Sequence, residues 1–179
     1  MLINNLFIIL CHIIPAVISS NMVETISITS SHSFEDSQKA FEAVIPPLDL
    51  SFQTYVANGD LPGAKAALEA LPPLNNFFLP PRSFTGILTA IGASGTAVQY
   101  EIGNPLTAIT MAQHELDIGI HTPRRILLRV EGDKVVFKYN LIAPLVAKYN
   151  NAEVNDTATK LDAKIQATLR KIATYDLSG

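Results

Sequence analysis

The stretch that decides the fold, Glu101–Arg129, reads EIGNPLTAITMAQHELDIGIHTPRRILLR. Asn104 followed by Pro105 is a pairing that helix N-termini favour, because the asparagine side chain accepts hydrogen bonds from free N–H groups and proline fits the first turn. Apolar residues then recur at helical spacing, at Leu106, Ile109, Ala112 and Leu116. The stretch therefore predicts a capped amphipathic helix, a turn that runs from glycine to proline, and the start of a strand.

Two hairpins surround this helix in the predicted fold. Arg125–Glu131 and Val135–Tyr139 are β-type runs separated by Gly132-Asp133, which is a strong hairpin signal. Phe84–Ile91 and Ala97–Ile102 form a second pair of such runs, joined by a glycine-bounded turn. We therefore expect one hairpin before the helix and one after it.

The two ends of the chain complete the predicted order of elements. Glu24–Ser30 alternates like a strand, and Ser33 then caps a helix. Residues 46–83 hold seven of the eleven prolines and form an insert. Residues 154–174 predict a C-terminal helix. The order β-α-(insert)-β-β-α-β-β-α predicts an α+β fold, an antiparallel sheet with helices packed on one face, in a single domain over 22–179.

Two details of these segments bear on a site. Asn75–Leu79, inside the insert, carries two phenylalanines and is either a lid or a loop packed at the edge of the core. In the C-terminal helix, apolar residues line one face, and the opposite face is predicted to carry Lys160, Asp162, Lys164, Gln166 and Arg170 in contact with water.

Composition excludes several classes of function. The 179 residues are 48% hydrophobic and 16% charged, with a formal net charge of -3. No run of Lys or Arg is present, so we expect no nucleic-acid partner, since phosphate contacts need clustered positive charge. The single cysteine, Cys11, excludes an intrachain disulfide and a cysteine-based metal site.

Residues 1–20 are compatible with more than one cellular location of the protein. Leu6–Ile18 is an apolar run too short to span a bilayer comfortably, and it is followed by small residues typical of signal cleavage. The segment is a signal peptide, a misassigned start with Met22 as the true first residue, or a retained membrane anchor. The chain is then secreted, cytoplasmic from Met22, or membrane-attached, respectively. Asn155 heads a glycosylation sequon, which matters only if the chain is secreted.

Three residues of the opening stretch suggest acid–base or metal chemistry. His114 and Asp117 are three residues apart and share a face if the helix continues, and His121 follows four residues later. Such a cluster suits proton transfer or a divalent metal. The alternative is a charge arrangement on a solvated surface, without chemistry. We predict no metal site and no cofactor.

A second candidate site is an anion-binding corner. Asn104 starts a helix, and free backbone N–H groups at helix starts attract anions. Arg124 and Arg125 open the next strand and point to opposite faces, so only one can face a pocket beneath the helix. An arginine there favours a carboxylate or phosphate ligand. The alternatives are a helix cap alone and a solvated arginine at the sheet edge.

The chain also resembles a known family, the domain of unknown function numbered three hundred and two. The resemblance is carried by Gly103–Ala108, Asp117–Pro123 and Gly132-Asp133, and it extends over residues 24–145. It implies a ferredoxin-like α+β fold, a site near the helix start and a homodimer, but no established activity. Prokaryotic members often carry cysteines where this chain has Gly103 and Arg124, so their thiol chemistry is not implied here and the chain resembles a fungal-type member.

These observations favour one function over two others. We expect a small-molecule-binding domain for an anionic or apolar metabolite, because no catalytic motif is present. The alternatives are an enzyme that uses His114, Asp117 and His121, and a secreted structural or effector protein. A membrane is expected as a partner only if residues 1–20 are retained.

Overall fold

The computed structural model describes residues 23–177, which form an α+β fold built on a six-stranded sheet. The strands are β1 (Thr25–Ser30), β2 (Asn75–Asn76), β3 (Arg82–Ser83), β4 (Ala97–Gly103), β5 (Arg124–Glu131) and β6 (Lys134–Asn140). They lie in the order β1-β6-β5-β4-β2, with β3 pairing elsewhere along β4. Every pair is antiparallel, as predicted.

Seven α-helices connect and cover these strands within the described residues. They are α1 (Phe34–Val44), α2 (Ser51–Ala57), α3 (Leu61–Glu69), α4 (Thr85–Ala90), α5 (Pro105–Ala112), α6 (Ala143–Val146) and α7 (Ala152–Ile172). Two 3-10 turns, Leu116–His121 and Ala147–Tyr149, follow α5 and α6. The predicted C-terminal helix is confirmed, and it starts two residues earlier than expected because Asn151 caps it through Glu153 and Val154.

The core lies between one face of the sheet and helices α1 and α7. Alternation along β4 turns Val98, Tyr100 and Ile102 toward this face, where all three are buried. Phe41 from α1 stacks on Tyr100 with ring centroids 3.9 Å apart. Buried residues at helical spacing on α7, including Ile165, pack against the same cluster. The other face of β4 and β5 carries polar and charged side chains such as Gln99.

The hairpin at Gly132-Asp133 is confirmed. Glu131 pairs with Lys134, so the turn consists of the two residues between them, Gly132 and Asp133. Gly132 has a φ of +64°, the left-handed conformation that the first turn position of a type II′ hairpin requires. Glycine adopts this conformation without steric cost, and it therefore sets the register of β5 against β6.

The predicted strand Phe84–Ile91 is wrong, because these residues form helix α4. The N–H of Phe84 donates to the carbonyl of Ala97 at 3.0 Å, and the Thr85 hydroxyl accepts from the N–H of Ala97 at 3.0 Å. These bonds lie at the start of β4, where the strand pairing ends. The short strand β3 pairs with β4 in place of the predicted strand Phe84–Ile91. A short apolar run is compatible with either helix or strand, and here tertiary contacts decide.

The predicted exposure of Asp162 is also wrong. Asp162 is only 4% exposed and is one of the buried residues of α7. Asp162 lies four residues after Ala158 and three before Ile165, which are both in the core, so it shares their helical face. The charged side chain is nevertheless stable there because it has hydrogen-bond donors nearby, as described below.

Three features of the described part complete the fold. No helix there is long and apolar enough to cross a membrane. Asn155, the predicted glycosylation site, lies half-buried in the first turn of α7. Residues 1–20 and Cys11, on which the signal, anchor and thiol predictions depend, lie outside residues 23–177.

Candidate functional site

A pocket of about 90 Å³ lies where the sequence predicted a site, between the start of α5 and the start of β5. We call it the α5 pocket. Its lining residues are Phe77, Ile102, Gly103, Asn104, Pro105, Ala108, Thr122, Pro123, Arg124 and Leu161. Most of these side chains are apolar, and no acidic residue lines the pocket.

Asn104 forms the helix cap that the sequence predicted. Its Oδ1 accepts from the N–H groups of Leu106 at 2.9 Å and Thr107 at 3.2 Å. Its Nδ2 donates to the carbonyl of Pro72 at 2.9 Å, which ties the insert to the helix start. Because the side chain already satisfies two N–H groups of the first turn, an anion at this helix end would have to replace Asn104.

The insert supplies one wall of the pocket. Strand β2 pairs with the end of β4, so that Asn75 lies opposite Gly103. The N–H of Phe77 donates to the carbonyl of Glu101 at 2.7 Å and extends this pairing by one residue. A Cβ at Gly103 would lie 3.5 Å from the Phe77 ring, so the ring packs close to the backbone of β4. Of the two predicted alternatives, Phe77 therefore fits a packed loop and not a detached lid.

The two arginines at the start of β5 face opposite sides, as their adjacent positions predicted. Arg124 is 7% exposed and lines the pocket, whereas the Arg125 side chain is 71% exposed. The Arg124 guanidinium donates to the carbonyl of His121 at 2.8 Å and also to the carbonyl of Asn140. Burial lowers the pKa of Arg124, while the nearby carboxylate of Asp162 raises it.

Asp162 was missed as a site residue, although it adjoins the pocket-lining Leu161. Its carboxylate accepts from the N–H of Ile142 at 3.0 Å and of Ala143 at 2.9 Å, and so caps the start of α6. Burial raises the pKa of Asp162, while these N–H donors and the charge of Arg124 lower it. The available signal was its helical spacing, which places it in the apolar stripe of α7.

The three residues of the predicted acid–base cluster are not brought together as a metal site. Helix α5 ends at Ala112, and the His114 Nε2 lies 2.7 Å from the carboxylate of Glu153 at the start of α7. Asp117 belongs to the following 3-10 turn, where its N–H donates to the Glu115 side chain. Within residues 23–177, no three His, Cys, Asp or Glu side chains are grouped so that they could hold a metal ion.

His121 lies at the end of the same 3-10 turn, beside Arg124. Burial is the main cause that lowers the pKa of His121, and the positive charges of Lys148 and Arg124 lower it further. The charge of Asp117 acts in the opposite direction. The His121 imidazole is therefore held toward its neutral form, and its carbonyl serves to position Arg124.

Comparisons with known proteins agree with this fold. Residues 86–172 match the family described as "Domain of unknown function DUF302". A solved structure, titled "uncharacterized conserved protein DUF302 from Bacillus stearothermophilus", matches with a TM-score of 0.61 and 15% identity, over 83% of this chain and 97% of that chain. No curated protein matches the chain in sequence. The chain is thus similar over residues 86–172 to the DUF302 family, and it has the α+β fold of a solved DUF302 protein.

Proposed function

We propose that the protein binds a small, mainly apolar molecule in the α5 pocket. The observation that supports this most directly is the lining itself, in which Phe77, Ile102 and Leu161 meet beside the start of α5. Apolar pockets with a few polar groups are the usual form of small-molecule sites. The lining brings together the insert, β4, α5, the start of β5 and α7, so a ligand there would contact most of the fold.

The volume restricts the size of the ligand. A cavity of about 150 Å³ lined by aliphatic and aromatic side chains binds benzene. The α5 pocket, at about 90 Å³, suits a molecule with fewer heavy atoms or the apolar end of a longer one. Larger ligands would have to displace the Phe77 ring.

Arg124 favours a ligand that also carries a hydrogen-bond acceptor. It supplies the positive charge of the lining, and the residue is only 7% exposed. A carboxylate or carbonyl oxygen near it would gain a charge-assisted hydrogen bond. Short apolar carboxylates therefore combine the two properties that the lining favours.

A ligand screen by thermal unfolding tests the proposal. The compounds are short apolar carboxylates, the matching neutral alcohols and small cyclic hydrocarbons. A ligand at one hundred times its Kd stabilises the native state by about 2.7 kcal/mol, which raises Tm by roughly 5–10 °C for a chain of this length. Absence of stabilisation by every compound at millimolar concentration would overturn the proposal.

Two variants on α5 locate the bound compound. Ala108→Phe fills the pocket and should abolish the thermal shift. Thr110→Phe places the same ring on the exposed side of the same helix and should leave the shift unchanged. An equal shift in both variants would place the ligand elsewhere.

The remaining expectations stay predictions. If the protein is an enzyme that uses His114, Asp117 or His121, its substrate has to contact these side chains. The secreted structural or effector role and the membrane alternative depend on residues 1–20. The homodimer and the fungal type are likewise implied by the family resemblance alone.

A further inference from the structure

The face of the sheet opposite the core carries a second concave surface, separate from the α5 pocket. Two hollows of about 380 Å³ and about 330 Å³ lie on it, and both are lined by Gln99 and Leu127. We call the combined surface the open-face trough. Each hollow is within the size range of small-molecule sites, which is about 300–1,000 Å³.

Strand register explains how the trough crosses the sheet. Gln99 on β4 pairs with Leu127 on β5, which pairs with Lys138 on β6, so the three side chains form one row. Arg125 and Arg129 lie two residues to either side of Leu127 and share its face. The row and its neighbours extend for about 13 Å along β5, at the usual rise per residue.

The large apolar side chains of the trough lie mainly at one end, which also carries Arg129. Phe84 and Leu88 of the α4 segment form an apolar wall at one end, together with Val130. Arg125 lies at the other end, and Lys138 lies opposite Leu127, with its ammonium turned toward Glu131. Leu127 lies between the two ends and provides an apolar floor.

All charged residues that line the trough are basic. They are Arg129 in the first hollow, and Arg125 and Lys138 in the second. This is unexpected in a chain with a formal net charge of -3. The surface is therefore complementary to an anion.

Two carboxylates compete with such an anion, but weakly. Glu131 lies 2.7 Å from the Lys138 Nζ, and Glu101 lies 3.6 Å from the Arg125 Nε. Glu101 also pairs with Arg82 on the neighbouring strand. The Arg125 side chain is 71% exposed and its pair with Glu101 is long, so it is able to turn toward a ligand at a cost of about 1 kcal/mol or less. Lys138 is half-buried and has to leave Glu131 to reach the same ligand.

We propose that the open-face trough binds a single-chain amphipathic carboxylate. Its carboxylate lies at Arg125, within reach of Lys138 once that side chain leaves Glu131, and its hydrocarbon chain runs over Leu127 toward Phe84 and Leu88. This site is independent of the α5 pocket, because the sheet separates the two. Phe84 and Leu88 line only the hollow away from Arg125, so a molecule with one anionic and one apolar end fits the trough in this direction.

Decanoate is the probe for this site, with binding measured by isothermal titration calorimetry on the folded chain. Decanol has the same chain without the charge, and butyrate has the same head with a short chain. We expect decanoate to bind at least about ten-fold more tightly than either, a difference of about 1.4 kcal/mol. Equal binding of decanol and decanoate would overturn the proposal, as would the absence of saturable decanoate binding at millimolar concentration.

Variants separate the trough from the α5 pocket. Leu127→Glu should weaken decanoate binding by about ten-fold or more, since it places a like charge under the hydrocarbon chain. The double variant R125Q/K138Q keeps the apolar floor and should weaken binding by about five-fold. K134Q removes a lysine of β6 that does not line the trough, and it should leave the affinity unchanged.

Two further outcomes would contradict this assignment. Loss of decanoate binding in Ala108→Phe, with Leu127→Glu unaffected, would place decanoate in the α5 pocket. Binding of the chain to phosphatidylglycerol vesicles through Arg125 and Lys138, without binding of free decanoate, would show that the surface contacts a membrane instead. Failure of the α5 pocket to bind any compound would leave the trough unaffected, because its test uses other residues.

Discussion

The carboxylate of Asp162 lies 3.0 Å from the backbone nitrogen of Ile142 and accepts its hydrogen bond. The bond joins the middle of α7 to the start of α6, at the end of the last strand of the sheet. The same carboxylate accepts from Ala143, and its charge acts on Arg124. A single buried acid therefore connects a helix start, a strand start and the helix that covers the core.

Replacing Asp162 should destabilise the fold strongly. Asp162→Ala leaves the N–H groups of Ile142 and Ala143 at the start of α6 without acceptors and leaves Arg124 without its nearby negative charge, which should cost about 3 kcal/mol. Asp156→Ala, on the exposed side of the same helix, removes only a solvated pair with Lys160 and should change stability by less than about 0.5 kcal/mol. Urea unfolding measures both values. Equal losses would show that the buried carboxylate contributes nothing specific.

The two adjacent arginines should behave differently. Arg124→Met preserves much of the buried volume but removes the donors to the carbonyls of His121 and Asn140, at a cost of about 2–4 kcal/mol. Arg125→Met affects an exposed side chain and should cost less than about 0.5 kcal/mol. The comparison is made by thermal unfolding of the two variants at one pH. A larger loss at Arg125 would contradict the described burial.

His121 should make stability fall as the solution is acidified. Its pKa is lower in the folded chain than in the unfolded chain, so below the ordinary histidine value the unfolded state binds more protons. The stabilisation is complete above about pH 6.5 and is lost as the pH falls toward the folded pKa. His121→Gln should therefore show a shallower loss of stability between about pH 7.5 and pH 5.5 than the parent chain. Denaturant midpoints at these two values test it, and parallel pH profiles would contradict it.

Two glycines should respond in opposite directions to alanine. Gly132→Ala forces a side chain into a left-handed turn position and should cost about 1 kcal/mol. Gly86→Ala lies in α4, where the added Cβ would meet no atom within 4 Å, and should stabilise by about 0.5–1 kcal/mol. Urea unfolding gives both signs directly. Stabilisation by the Gly132 substitution would contradict the hairpin geometry.

Locally determined features of this fold were predictable from sequence. The Asn104-Pro105 helix start and the Gly132-Asp133 hairpin each depend on side chains that act within a few residues. The capping bonds span two and three residues, and the hairpin turn is set by the backbone of one glycine. The start of α5 lies beside the start of β5 because Ile102, two residues before the Asn104 cap, pairs with Arg124.

Features that depend on distant contacts were not predictable in the same way. Phe84–Ile91 has a strand-like composition, but it forms helix α4, whose first residues bond to Ala97 at the start of β4. Phe77 became a pocket wall because β2 pairs with β4, over a separation that no local pattern reports. Asp162 looked like a solvent-facing acid until the partner N–H groups of α6, twenty residues earlier in the chain, were in place.

Leu161 and Asp162 are neighbours on α7. Binding of a ligand in the α5 pocket can therefore be detected at the backbone amides that Asp162 binds. Leu161 lines the α5 pocket, and the next residue holds the amide hydrogens of Ile142 and Ala143. A ligand that immobilises Leu161 also restricts the motion of the adjacent residue, Asp162. Deuterium uptake at these two amides should then slow when the pocket fills, because exchange there requires the cap to open. Occupancy thus becomes measurable without a labelled ligand or an assay for its chemistry.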